Sequence, residues 1–168
     1  MNVSYSEIPT SDFHKSYLQK FWVLNNLQNP LCTPSSYALP NGCCTIAFIS
    51  GNGVVFSSAG KTMELPAGAY LSGQITERAS LSLKPFSKAI MAQVKPWLPP
   101  IIIGISMDEM VDHVINLRFI NCAFNQHFTD IDLSKESIVL PAFLEAPSRF
   151  DRSDYILPLT GHFDFLQL

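Results

Sequence analysis

Between about Tyr17 and Lys95, short apolar or β-branched runs alternate with Gly, Pro, Asn and Ser. This punctuation belongs to an all-β sandwich or barrel rather than to alternating strands and helices. The pattern predicts strands near residues 17–25, 34–39, 43–50, 53–58, 61–64, 69–76, 79–84 and 88–95. Leu39-Pro40-Asn41-Gly42 opens straight into the apolar run from Cys43 to Ile49. Pro presets φ and Asn and Gly tolerate positive φ, so the stretch reads as a turn followed by a buried strand. Gly51-Asn52-Gly53 reads as a hairpin between two strands, and Ala59-Gly60-Lys61 as the turn linking the next pair.

The pattern changes after Trp97. Pro99-Pro100 suits the first turn of a short helix through Ile103, with Gly104 at its end. Ser106-Met107-Asp108-Glu109 matches a capping box, and the two acidic residues suit the positive end of a helix dipole. Met107, Met110, Val111, Val114 and Ile115 follow at i, i+3, i+4, i+7 and i+8, which predicts an amphipathic helix from Met107 to Leu117. A second helix is predicted over roughly 117–128. Ser134-Lys135-Glu136 offers a further start, but Pro141, Pro147 and Pro158 interrupt any long helix there. The resulting expectation is a mainly β (α+β) chain, a cupin-like or jelly-roll β-barrel followed by C-terminal α-helices. Residues 1–104 form the barrel and 105–168 a helical extension of the same structural domain, packed on the barrel or used for dimerisation.

With 168 residues the chain suffices for one domain with a sizeable core. Hydrophobic residues make up 47% and charged residues 15%, against about 25% charged in an average protein. This leaves either a hidden interface or a surface rich in Ser, Thr and Asn. Residues 1–104 carry seven Lys/Arg and four Asp/Glu, whereas 105–168 carry four and ten. An acidic C-terminal part cannot form the basic face that phosphate binding requires, which argues against direct DNA contact. No apolar run approaches the roughly 18 residues of a membrane span. The N-terminus lacks the basic region and apolar core of a secretory signal. A cytoplasmic protein without membrane contact is expected.

Cys32, Cys43, Cys44 and Cys122 show no C-x-x-C spacing, and neighbours on a strand point to opposite faces. Buried, reduced thiols are expected. His14, His113, His127 and His162 all lie outside the predicted strands, so no metal site is expected inside a barrel, and no other cofactor. There is no G-x-S-x-G elbow and no Gly-rich phosphate loop, so an enzyme is not expected. Aromatics remain. Phe21 and Trp22 adjoin on one strand, so one faces in and the other out. The candidate ligand-binding set is Trp22, Phe48, Gln93, Lys95 and Trp97, suited to an apolar small molecule with one polar group. The alternative is that these aromatics simply fill a small barrel.

These pieces together resemble the N-terminal sensor or effector domain of AraC-type bacterial transcription regulators. The resemblance rests on Phe21-Trp22, the Leu39–Gly42 turn with its Cys43–Phe48 strand, Pro66 with Leu71-Ser72-Gly73, the Ala92–Trp97 strand and the Met107–Leu117 segment. It spans about residues 5–125. It implies a regulatory module in which a cupin-like barrel senses a small-molecule effector and C-terminal helices support a homodimer. Met107, Met110, Val111 and Val114 are then the candidate dimer face, or they pack on their own barrel. Such regulators usually carry Asp after the Pro of the turn and an acidic residue three positions after its Gly. Asn41 and Thr45 occupy those places here. They also reach DNA through paired helix-turn-helix motifs, which this sequence does not contain. A small cupin-like enzyme or carrier is the alternative function.

Overall fold

A computed structural model describes residues 4–120 and 123–146. Ten strands are found there: β1 (Ser4–Pro9), β2 (Leu18–Asn25), β3 (Ser36–Ala38), β4 (Cys44–Ser50), β5 (Val54–Ser58), β6 (Lys61–Leu65), β7 (Gly68–Ser72), β8 (Ala79–Leu83), β9 (Lys88–Val94) and β10 (Val114–Asn116). All pairings are antiparallel. Six strands form one sheet in the order β1-β2-β9-β4-β7-β10, and four form a second in the order β3-β8-β5-β6. Among the described residues no strand ladder joins the two sheets, so the expected closed barrel is instead an open sandwich.

The six-stranded sheet is covered on both faces. Phe21, Val23, Ile46, Phe48, Ile90 and Ala92 point to one side, against a helical layer that includes Leu98, Met110, Phe124, Val139 and Phe143. Leu24, Ile49, Tyr70, Ala89 and Met91 point to the other side, toward Val54 and Leu83 of the four-stranded sheet. All seven residues of the central strand β9 are therefore buried. Strands buried on both sides read as continuous apolar runs, which explains the composition of β4 and β9.

Among the described residues, four helices make up the helical layer with a 3-10 turn at Leu117–Phe119: α1 (Leu98–Ile103), α2 (Met107–Met110), α3 (Ala123–Gln126) and α4 (Glu136–Glu145). Helix α1 has Pro in its first turn and closes at Gly104, whose φ of 72° suits glycine. Helix α4 nevertheless contains Pro141, which forgoes the hydrogen bond to the carbonyl four residues earlier and crowds that carbonyl. The Lys88 ammonium, on a residue only 7% exposed, donates to Ser134 O at 2.8 Å and pairs with Glu136 at 2.7 Å, fastening α4 to the central strand.

The predicted helix from Met107 to Leu117 does not form. After Met110 the chain turns at Asp112, whose φ is 55°, and Val114–Asn116 pairs with β7 instead. Asp112 accepts hydrogen bonds from Thr76 N at 2.8 Å and Thr76 Oγ1 at 2.5 Å. Its own N–H donates to Gln74 O at 2.9 Å, while Gly73 N donates to His113 O at 3.0 Å. Ser106 occupies the N-cap position of α2, but its side chain makes no capping bond. The segment predicted as one helix over 117–128 is likewise divided, into the 3-10 turn and α3. Gly51-Asn52-Gly53 is not a hairpin either, because β4 and β5 lie in different sheets. The two glycines, at φ of 80° and 96°, carry the chain across the sandwich beside the carbonyls of Phe86 and Leu65. The Ala59-Gly60 turn does close a hairpin, pairing Ser58 with Lys61.

Candidate functional site

The inner face of the six-stranded sheet is organised in layers. Thr45 on β4 lies directly across from Gln93 on β9 and from Ser72 on β7. Two residues further along, Ala47 is flanked by Met91 and Tyr70, and Met91 by Trp22. Ile49 and Ala89 form the next layer. Side chains on one face repeat every second residue, so all of these point toward the four-stranded sheet.

Between the sheets they line a partly open cavity of about 90 Å³, closed from the other side by residues including Phe56, Leu65 and Leu81. A cavity that takes benzene measures about 150 Å³. The enclosed part therefore holds only a few heavy atoms, and a larger ligand extends through the mouth. Exposed Tyr37, Leu39 and Asn41 stand there. Asn41 Oδ1 accepts from Cys43 N at 3.0 Å, fixing the Pro-Asn-Gly turn, and Gln74 Nε2 donates to Gly42 O at 2.8 Å.

Of the five candidate ligand residues, Trp22 and Gln93 line this cavity. Phe48 does not: odd in register with Ala47 and Ile49, it points to the helical side and packs on Phe128 with ring centroids 4.5 Å apart. Lys95 lies just beyond β9, its N–H bonded to Tyr17 O at 2.8 Å. Trp97, 38% exposed, is the N-cap residue of α1. Neither Lys95 nor Trp97 reaches the cavity lining. The proposed dimer stripe is also dispersed, since the helix it required is absent. Met107 packs against the helical-side core, Met110 is buried within it, and Val111 caps α2. Val114 faces the cavity. Thr45, Ser72 and Cys43 were not among the candidates, although Thr45 is the polar interruption of the apolar run Cys44–Ile49 and so carried a signal.

The site is electrically neutral. Among the described residues, no cavity-lining side chain is charged. Burial raises the Tyr70 hydroxyl above its ordinary range, and that hydroxyl donates to Pro66 O at 2.9 Å. Trp22 Nε1 is buried without a hydrogen-bond partner. Cys43 lines the cavity while Cys44 faces the opposite core, where burial pushes its thiol up to about 11. Cys32, Cys43 and Cys44 are all free thiols, but only Cys44 is buried: Cys32 is exposed and Cys43 half-buried. Cys122 lies outside the described residues. Among the described residues no group of three or more His, Cys, Asp or Glu is placed to hold a metal ion. His14 and His113 sit in turns, bonded to Ser11 Oγ and Val111 O at 2.7 Å each. His162 lies outside the described residues. No helix among those residues is long and apolar enough to cross a membrane.

Fold and cavity define a class: a β-rich domain of two antiparallel sheets with a neutral, largely apolar pocket between them. The chain belongs to the family described as a domain of unknown function (DUF6597), whose model matches residues 7–116. Among solved structures it is similar to a predicted oxalate decarboxylase from Thermotoga maritima, at 16% identity over 55% of this chain and 79% of that chain, with a TM-score of 0.38. No curated protein matches the sequence.

Proposed function

We propose that this chain is a cupin-like sensor domain of the AraC regulator type, working in the cytoplasm. It takes a small molecule between its sheets and passes that occupancy to a DNA-binding unit, without catalysis. The observation that carries this reading is the inter-sheet cavity, apolar over most of its lining and bordered by Trp22 and Gln93. Concave, mostly apolar sites with a few placed polar groups are the usual form of small-molecule sites. The orphaned Trp22 Nε1 supports it further, because a buried donor without a partner is costly and a ligand acceptor relieves that cost after a small rearrangement. Binding acts by favouring one conformation over another. Self-association, which the resemblance implies, uses in this reading a surface other than the Met107–Val114 stripe.

A thermal-shift screen of small metabolites tests the sensor. A true ligand at about one hundred times its Kd raises Tm by roughly 5–10 °C. Ala47→Leu, which fills the middle layer of the cavity, abolishes that shift while the domain stays folded. A shift that survives Ala47→Leu places the ligand elsewhere and sinks the reading, as does a screen in which nothing stabilises. For the regulatory half, the coding sequence after residue 168 is the discriminator. A helix-turn-helix pair there supports it, and a catalytic domain there overturns it.

A further inference from the structure

Gln93, Thr45 and Ser72 form an unbroken polar row across three adjacent strands of an otherwise apolar inner face. Two strand spacings separate its ends, roughly 10 Å. Gln93 is only 8% exposed, and with Thr45 it lines the cavity. Ser72 Oγ makes just a long contact to Gly73 O at 3.4 Å. A few polar groups set together on a mostly apolar cavity wall are what orient a small molecule there.

Charge is missing from this end of the cavity. The nearest cation in the row is Lys20, across from Gln93 on β2. Its ammonium is held by Glu7 at 2.7 Å, and it does not line the cavity. A carboxylate or ammonium entering here loses its hydration and meets no counter-ion. Beyond the row the lining turns apolar through Ala47, Met91 and Ile49.

We infer that the Gln93–Thr45–Ser72 row selects an uncharged ligand with a carboxamide- or lactam-like head and an apolar body. The head both donates to and accepts from the Gln93 amide, and the two hydroxyls adapt as donor or acceptor. The body lies against Ala47, Met91 and Ile49. This rests on the cavity being a ligand site, and the test separates the two claims.

Four probes of similar bulk are titrated calorimetrically against the full chain: hexanamide, hexanoate, hexylamine and, as an apolar probe of the cavity alone, toluene. Hexanamide binds at least tenfold more tightly than hexanoate or hexylamine. Gln93→Met and Thr45→Val each weaken hexanamide about five- to tenfold, the effect of leaving one polar partner unmatched, and leave toluene unchanged. Thr45→Val is nearly isosteric and carries the test should Gln93→Met fail to fold. If hexanoate or hexylamine equals hexanamide, or if the variants leave its affinity intact, the selective role of the row is overturned. Toluene binding with no amide preference overturns the row and leaves the cavity reading standing. Binding by none of the four overturns both.

Discussion

Asp112 decides the course of the chain between the helical layer and the sheet. Its carboxylate accepts from the Thr76 hydroxyl and N–H, and these two bonds, the hydroxyl one foremost, hold its pKa below the ordinary 3.8. A carboxyl depressed in the fold contributes stability that is fully present above its unfolded pKa and is lost as pH falls through the folded value. Wild-type Tm should therefore exceed that of Asp112→Asn by a roughly constant margin from pH 7 to pH 5. The margin should shrink as pH drops below about 4. Asn keeps the tolerance for positive φ, so the comparison isolates the charge. A margin unchanged at pH 2.5, read by circular dichroism, contradicts this role. Residues also show where sequence reading stops. That Phe21 and Trp22 part to opposite faces follows from strand alternation alone. Which face holds the cavity does not, because both faces of β4 are apolar, and so Phe48 was assigned to the wrong side of its sheet.

At the scale of elements, the β7–β10 pairing replaces a helix that periodicity favoured. Met110, Val111, Val114 and Ile115 satisfy a helical stripe, but a three-residue strand next to a turn produces the same spacing. The hydrogen bonds that settle the matter, Gly73 N donating to His113 O and Asp112 N to Gln74 O, involve a distant segment, which local pattern cannot register. Strand β1 was missed for a related reason. Ser4–Pro9 is exposed at five of its six positions, so it shows little of the apolar signal that marked the other strands. Strands bounded by Gly, Pro and Asn were legible, since the punctuation is local. Gly73 itself gives a sharp test. A Cβ there would sit 1.8 Å from Met110 O, so Gly73→Ala must push α2 and β10 away from β7. A loss of roughly 3 kcal/mol is expected in urea denaturation. A change below about 0.5 kcal/mol, the range of ordinary surface substitutions, contradicts the close approach.

In the molecule as a whole, one sheet serves two cores. Ile90, Ala92 and Val94 of β9 belong to the helical side, and Ala89 and Met91 to the sandwich side, so neither core can dissolve alone without stripping the central strand. Phe143, fully buried against Phe21 at 5.3 Å and Phe124 at 5.9 Å between ring centroids, tests this coupling. Phe143→Ala should cost about 3–5 kcal/mol, and the transitions followed by tryptophan fluorescence and far-ultraviolet circular dichroism should move together. A helical layer that melts first, with the fluorescence transition unmoved, refutes the coupling. About half of the candidate site was legible. Trp22 and Gln93 stood out by residue type, whereas Thr45 and Ser72 gain meaning only from the register that sets them beside Gln93. The doubly covered sheet has a mechanical consequence. Clamped between two fillings, it is the rigid wall of the cavity. The four-stranded sheet carries hydroxyls such as Ser57 and Thr62, bonded to each other at 2.8 Å, on its exposed back. Among the described residues it is backed by no second filling, so it is the compliant leaf that yields when a guest enters, and its strand amides are the ones whose hydrogen exchange a guest will slow most.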